Sequence, residues 1–133
     1  MTLSELQQLY AAHPNVEGMH RLLDNPSVHH IYCGGLTGSS ASLFSSVLVG
    51  QAFCPFVFIL GDLEEAGYFY HDLVQVLGDA NVLFFPSSFR RAIKYGQKDA
   101  ANEILRTEVL SRLQKTDKSF CVVTYPDALA EKV

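Results

Sequence analysis

The hydrophobic positions of this chain follow a helical period at first and a strand period later. The opening helix begins with the capping-box sequence TLSE at 2–5 and continues with one apolar stripe. Pro14 breaks that helix, and a second helix is predicted from about Val16 to Leu23. Residues 1–27 are therefore predicted to form an N-terminal helical extension.

Four strand-like runs follow, and the last three show no alternation, as expected of strands covered on both faces. Helical spacing fills the gaps between them, and the alternation of strand and helix predicts a parallel α/β sheet with flanking helices and right-handed crossovers. The four runs are VHHIYC (28–33), PFVFIL (55–60), NVLFF (81–85) and SFCVVTY (119–125).

Each predicted helix has a set of apolar side chains expected to face inward. The helices predicted after the second and third strand-like runs begin at the caps Asp62 and Asp99. After the fourth strand, PDALAEKV starts a further helix, so we expect the chain to be a fragment of a longer protein. The inward sets are Leu43, Phe44, Val47 and Leu48; then Leu63, Ala66, Tyr70, Leu73, Val74 and Leu77, ended by Gly78; then Ile104, Leu105, Val109 and Leu113.

Composition indicates a globular chain of one ordinary domain: 133 residues, 48% hydrophobic, with a mean hydropathy of +0.12. No apolar run reaches the roughly 20 residues that span a bilayer. The N-terminus lacks a basic region followed by an apolar one, so a cytoplasmic location is predicted. The net charge of −4 argues against a surface built mainly for nucleic-acid phosphates.

Three cysteines lie in or beside the strand-like runs: Cys33, Cys54 and Cys121. An odd number in apolar surroundings indicates free buried thiols in a reducing compartment rather than a disulfide framework.

A glycine-rich turn at 35–42, GLTGSSAS, has the frame of a phosphate-binding loop between a strand and a helix. Ser40 replaces the second glycine of that motif, and Ala41 replaces its lysine. A loop without that charge is expected to be a structural turn, although Ser42 keeps the hydroxyl that binds magnesium in working loops. The vestigial phosphate loop comprises Gly35, Thr37, Gly38, Ser39, Ser40, Ala41 and Ser42.

No metal site is predicted from the remaining polar residues. Asp62 and the two glutamates after it follow an apolar run, but they fit a helix N-cap and an acidic first turn better than a magnesium site. The adjacent His29 and His30 would point to opposite faces of a strand, so they would not share a metal ion.

A basic and aromatic cluster follows the third strand, where α/β proteins place binding loops. Such a mixture can hold a nucleic-acid strand or a protein, and it is also typical of a solvated loop or an intramolecular docking surface. Its members are Phe89, Arg90, Arg91, Lys94, Tyr95 and Lys98.

Four stretches, in this order and spacing, resemble the N-terminal UvrB-like region of bacterial transcription-repair coupling factors (the Mfd family). GGLTGSSASLF (34–44) stands where the excision-repair helicase subunit UvrB has a complete phosphate loop and where coupling factors have lost it. FVFILGDLEEAGYFYHDL (56–73) is similar to the strand and helix of the second helicase motif. FFPSSFRRAIKYGQKDAANEILRTEVLSRL (84–113) resembles the segment after the third strand, and FCVVTYPDALAEKV (120–133) resembles the strand and turn that close this part of the lobe.

The resemblance implies that residues 28–133 are the first part of a UvrB-like α/β domain with a degenerate, P-loop NTPase-like fold of the helicase-lobe type. The whole protein would be an ATP-dependent DNA translocase that displaces stalled RNA polymerase and recruits UvrA for nucleotide excision repair. This part would be a non-catalytic scaffold and autoinhibitory docking module, without a cofactor, packed against other domains of the parent chain. UvrA would be bound mainly by the subdomain that follows.

Two other classes of function stay open on the residues alone. One is a nucleotide-dependent enzyme in which Lys94 or Lys98 takes the place of the missing lysine. The other is a DNA-binding module that uses the cluster at 89–98.

Overall fold

The structure, a computed structural model, describes residues 1–51, 54–89, 99–115 and 120–132. Two helices open the chain, α1 (Leu3–Ala11) and α2 (Pro14–Asp24). The predicted capping box of α1 is confirmed, because Thr2 Oγ1 accepts the N–H of Glu5 and Glu5 Oε2 accepts the N–H of Thr2. Pro14 begins α2 instead of preceding it, since proline suits the first position of a helix.

The described residues contain a three-stranded parallel sheet in the order β1-β3-β2, in which β3 pairs with both other strands. The chain is thus a mixed α/β protein, as predicted, and its described residues form three of the four strands expected. The elements after α2 are α3 (Ser40–Gln51), β1 (Phe56–Ile59), α4 (Leu63–Leu77), a 3₁₀ turn (Asp79–Asn81), β2 (Val82–Phe84), α5 (Ala100–Leu113), β3 (Cys121–Thr124) and α6 (Pro126–Leu129).

Helices α4 and α5 lie on opposite faces of the sheet. Two adjacent residues show this, since successive residues of a strand point to opposite sides. Phe84 contacts Tyr70 of α4, with ring centroids 5.2 Å apart. The next residue, Phe85, lies under the guanidinium group of Arg106 in α5, 4.2 Å from the ring centroid. Helix α3 packs beside α4, and Phe56 of β1 contacts the cluster that α3 and α2 form.

The apolar run 55–60 predicts a strand covered on both faces, but the described residues cover β1 on one face only. Val57 is 57% exposed and Ile59 is 58% exposed, whereas Phe56 and Phe58 on the other face are half-buried. The exposure follows from the position of β1 at one edge of the sheet described here. Helix α5, on the same face as Val57 and Ile59, packs against β2 at the opposite edge.

The strand expected at 28–33 is wrong: the segment is irregular and mostly exposed, and the Tyr32 side chain is 94% exposed. Its apolar residues have another neighbour. Ile31, with Leu36 just beyond the segment, lines an open cavity of about 1090 Å³ whose other walls include α1, α2 and Phe44. The segment therefore lies along helices instead of joining the sheet.

The inward faces of the helices are predicted correctly in part. Ala66 and Leu73 of α4 are fully buried, whereas Leu63, expected to face inward, is 43% exposed in the first turn. Asp62 begins that helix and Gly78, at φ 82°, ends it, as predicted. On α5, however, Ile104 and Leu113 are exposed, so the inward stripe is misplaced there. Val109, a member of the predicted inward set, is buried as expected, whereas Arg106 is buried although it lies outside that set. On α3, Val47 and Leu48 are buried as expected, and Leu43 and Phe44 are half-buried.

The three cysteines are free, and one of them is buried. Cys121 lies in the central strand, and burial raises the pKa of its thiol to about 11. Cys33 and Cys54 are exposed, which corrects the expectation that all three are buried, because the segments that carry them lie outside the sheet.

Candidate functional site

The vestigial phosphate loop turns sharply into α3 through two glycines. Gly35 has φ 82° and Gly38 has φ 55°, the left-handed conformation that glycine adopts without a steric penalty. A Cβ atom on either glycine would meet no atom within 4 Å, so the backbone conformation, not space, requires glycine at both positions. The two glycines thus make a sharp turn before α3, and among the described residues no strand precedes it.

Ser40 closes this loop on itself. Its hydroxyl oxygen accepts the N–H of Thr37 (2.8 Å), and its hydroxyl donates to the carbonyl oxygen of Thr37 (2.6 Å). The N–H of Ser40 also donates to that carbonyl, at 3.2 Å. Two of the backbone N–H groups that would cradle a phosphate are therefore already bonded within the loop.

At positions 41 and 42 a working phosphate loop has a lysine charge and a hydroxyl that is open to a magnesium ion. Ala41, at the lysine position, packs against the main core. Ser42 is buried, and its hydroxyl donates to Asp72 Oδ2 of α4 at 2.9 Å. That hydroxyl thus joins two helices and does not face an open loop. Position 41 therefore brings no positive charge to the loop, and the Ser42 hydroxyl is engaged by Asp72.

Of the basic and aromatic cluster, the structure describes Phe89, which is exposed after β2. Arg90, Arg91, Lys94, Tyr95 and Lys98 lie outside the described residues, and their role stays a prediction. The two ends of the segment meet: the N–H of Asp99 donates to the carbonyl oxygen of Ser88 at 2.6 Å.

A second polar site occupies the carboxyl ends of β2 and β3, the edge where parallel sheets usually bind ligands. Thr124 Oγ1 donates to the carbonyl oxygen of Phe85 at 2.8 Å. The N–H of Ser87 donates to the hydroxyl oxygen of Tyr125, also at 2.8 Å. We call the polar residues gathered here the strand-end cluster; they are Ser87, Ser88, Asn102, Arg106, Tyr125 and Glu131.

Helix α5 contributes two donors to the strand-end cluster. Asn102 Nδ2 donates to the carbonyl oxygen of Ser87 at 2.9 Å. Arg106 Nη1 donates at 2.9 Å to the carbonyl oxygens of Pro86 and Ala128. The arginine is only 6% exposed, so its charge is buried above the ring of Phe85. Residues 86–88 are therefore held rigidly by backbone and side-chain donors.

Glu131 completes the cluster from the turn after α6. Its carboxylate accepts the N–H of Ser88 at 2.9 Å and the Ser88 hydroxyl, and it lies 3.7 Å from Arg106 Nη1. Burial by itself would raise the pKa of Glu131. Hydrogen bonds from Ser87 and Ser88 and the charge of Arg106 outweigh it, so the pKa of this carboxyl is lower than usual.

Stability is expected to depend on pH through Glu131. Because its pKa is lower in the folded chain than in the unfolded one, its contribution is fully present above the ordinary value of 4.5. That contribution is lost as the pH falls through the folded-state pKa. We expect the difference in unfolding free energy between wild type and Glu131→Gln to shrink from about pH 7 to about pH 3.5. Urea titrations of both proteins measure it, and an equal difference at both pH values would contradict the assignment.

The other candidate residues do not assemble into a site. Asp62 Oδ1 accepts the N–H of Glu65 at 2.9 Å, which makes it the N-cap of α4, as predicted. His29 and His30 are exposed on the irregular segment. Across residues 1–51, 54–89, 99–115 and 120–132, no three His, Cys, Asp or Glu side chains are grouped to hold a metal ion.

Sequence reasoning missed most of the strand-end cluster. Ser87 and Ser88 directly follow a strand, and the carboxyl end of a parallel strand is the signal that marks them. Tyr125 follows β3 in the same way. Glu131 and Asp72 carry no signal, because their partners are 43 and 30 residues away along the chain.

No family model, curated protein or solved structure matches this chain. In the part of the chain that the structure describes, no helix is both long and apolar enough to cross a bilayer.

Proposed function

We propose that this chain is a non-catalytic scaffold domain of a transcription-repair coupling factor. In that protein it is the first part of the UvrB-like module, with a P-loop NTPase-like ancestry. It carries out no nucleotide hydrolysis and supports the packing of other domains of the parent chain. The self-closed loop is the observation that carries the proposal.

The loop supports the non-catalytic half of the proposal. Phosphoryl transfer depends on positive charge and on donors aimed at the phosphate oxygens. Here Ala41 brings no charge, the Ser40 hydroxyl occupies the Thr37 N–H, and Ser42 donates to Asp72. Gly35 and Gly38 keep the sharp turn although these ligands are missing, which is the pattern expected of a site that has lost its nucleotide.

The exposed apolar surfaces support the scaffold half. Val57 and Ile59 leave one face of β1 open, and a separate apolar cavity of about 1090 Å³ lies between the N-terminal helices and the 31–36 segment. Contiguous apolar surface of this kind is typical of protein contacts. Packing of neighbouring domains of the parent chain would cover it.

The activity of the parent protein is part of the proposal. It would be an ATP-dependent DNA translocase that displaces stalled RNA polymerase and recruits UvrA, with DNA and polymerase bound by its other domains. UvrA would be contacted mainly by the following subdomain. The location proposed is the cytoplasm.

Nucleotide titration tests the function directly. We expect no binding heat when the chain is titrated with magnesium-ATP or magnesium-ADP up to about 1 mM, which corresponds to less than about 4 kcal/mol of binding free energy. The matched variant is Ser40→Gly with Ala41→Lys, checked for folding by circular dichroism. A gain of ATP affinity in that variant would support descent from a working phosphate loop.

Clear one-to-one nucleotide binding by the wild type would sink the proposal. Its loss on Lys94→Ala or Lys98→Ala would then favour the enzyme with a substitute lysine. Salt-dependent DNA binding that weakens on Arg90→Ala and Arg91→Ala would favour the DNA-binding module.

A further inference from the structure

We infer that Ser87, Ser88 and Arg106 form a carboxylate-binding site in which Glu131 is a resident, exchangeable ligand. The inference concerns the strand-end cluster alone and does not rest on the proposed function. The site at the carboxyl end of β2 would bind a carboxylate. In this structure Glu131 supplies that carboxylate.

The donors match a carboxylate in number and direction. Ser88 gives its backbone N–H to one oxygen of Glu131 at 2.9 Å and its hydroxyl to the other oxygen. Arg106 Nη1 lies 3.7 Å from the carboxylate, and the Ser87 hydroxyl contributes to the lowered pKa of Glu131. A main-chain N–H, hydroxyls and a guanidinium around one anion make charge-assisted contacts, which are stronger than neutral ones.

The site is built by buried groups, not by flexible surface side chains. Ser88 is 4% exposed and Arg106 is 6% exposed, and Arg106 Nη1 also holds the carbonyl oxygens of Pro86 and Ala128. A further buried nitrogen, Arg106 Nη2, has no hydrogen-bond partner among the described residues. The guanidinium therefore has more donor capacity than Glu131 and the two carbonyls use.

Occupancy of this site is coupled to the contact between Ser88 and Asp99, the described residues on either side of the basic and aromatic cluster. Ser88 binds Glu131 through its N–H and hydroxyl, and its carbonyl oxygen accepts the N–H of Asp99. One residue thus joins the turn after α6 to the point where the chain leaves for 89–98 and returns. Release of Glu131 weakens the contact between Ser88 and Asp99, and binding of another carboxylate restores that contact.

Chemical rescue of Glu131→Ala tests the site. This variant leaves the donors without their ligand, and formate supplies a carboxylate of the right size. At roughly 100 mM sodium formate we expect the Tm of Glu131→Ala to rise by about 3–5 °C, and that of the wild type by less than about 1 °C. Sodium chloride and neutral formamide at the same concentration control for ionic strength and for shape. The rise is expected to be smaller in Glu131→Ala with Ser88→Ala, which lacks one donor.

An equal rise in wild type and variant would overturn the inference, as would a rise with formamide as large as with formate. No rise in a folded Glu131→Ala would overturn it too. If that variant does not fold, amide exchange of Glu131→Gln decides, because this substitution keeps the shape and removes the charge. We expect the Ser88 and Asp99 amides to exchange about tenfold faster in Glu131→Gln than in wild type, and unchanged exchange would exclude the site.

Discussion

Replacing Arg106 by alanine is expected to lower the free energy of unfolding by about 3–5 kcal/mol. The substitution leaves the carbonyl oxygens of Pro86 and Ala128 without their donor and Glu131 without its cation. It also removes the group that covers the ring of Phe85. Urea unfolding followed by circular dichroism measures the change.

Arg112 is the matched control, since it is a second arginine of the same helix. Its Nη1 donates to the carbonyl oxygen of Ala80 at 2.9 Å, but the residue is only half-buried. We expect Arg112→Ala to cost about 1 kcal/mol, the usual value of one hydrogen bond. Equal losses for Arg106 and Arg112 would show that the burial of Arg106 contributes nothing.

Leu73→Ala is expected to cost roughly 3–4 kcal/mol, because it opens a cavity in the middle of the core. Leu73 lies on α4 with no exposed surface, in the cluster that also contains Val123 of the central strand. Thermal and urea unfolding give the difference from wild type.

Ile104→Ala tests whether the structure or the helical spacing of the sequence places this side chain correctly. The helical spacing of α5 predicts an inward side chain at this position, whereas Ile104 is 68% exposed. A change within about 0.5 kcal/mol of zero is therefore expected, as for an ordinary surface substitution. A loss comparable to that of Leu73→Ala would mean that the stripe read from the sequence is the correct one.

Local signals in the sequence predict most of the fold. The caps at Thr2, Asp62 and Asp99 each bind the backbone as expected, and Gly78 ends α4. Three of the four strand-like runs are strands. Caps, breakers and strongly apolar strands succeed because each depends on residues only a few positions apart.

The errors arise where distant parts of the chain decide the outcome. The run at 28–33 has strand composition, but it lies along α1 and α2 instead of the sheet. The stripe of α5 is displaced because a buried arginine, not an isoleucine, meets Phe85. Helical spacing alone does not select between two overlapping stripes, since tertiary contacts make that choice.

The candidate site divides in the same way. The defects of the phosphate loop are visible in the sequence, since Ser40 and Ala41 replace the glycine and the lysine of the motif. Their consequence, the capture of the Thr37 N–H, appears only in three dimensions. The strand-end cluster is a long-range assembly, and the bond between Ser88 and Glu131 spans 43 residues.

The open edge of β1 has a consequence for handling the isolated chain. An edge strand with apolar side chains and unpaired peptide groups is a template for pairing with another molecule. Val57 and Ile59 present such a surface, and the acidic residues Asp62, Glu64 and Glu65 follow directly after the strand. Like charges on neighbouring copies oppose edge-to-edge pairing, and added salt screens that repulsion. We therefore expect added salt to favour association of neighbouring copies through this edge.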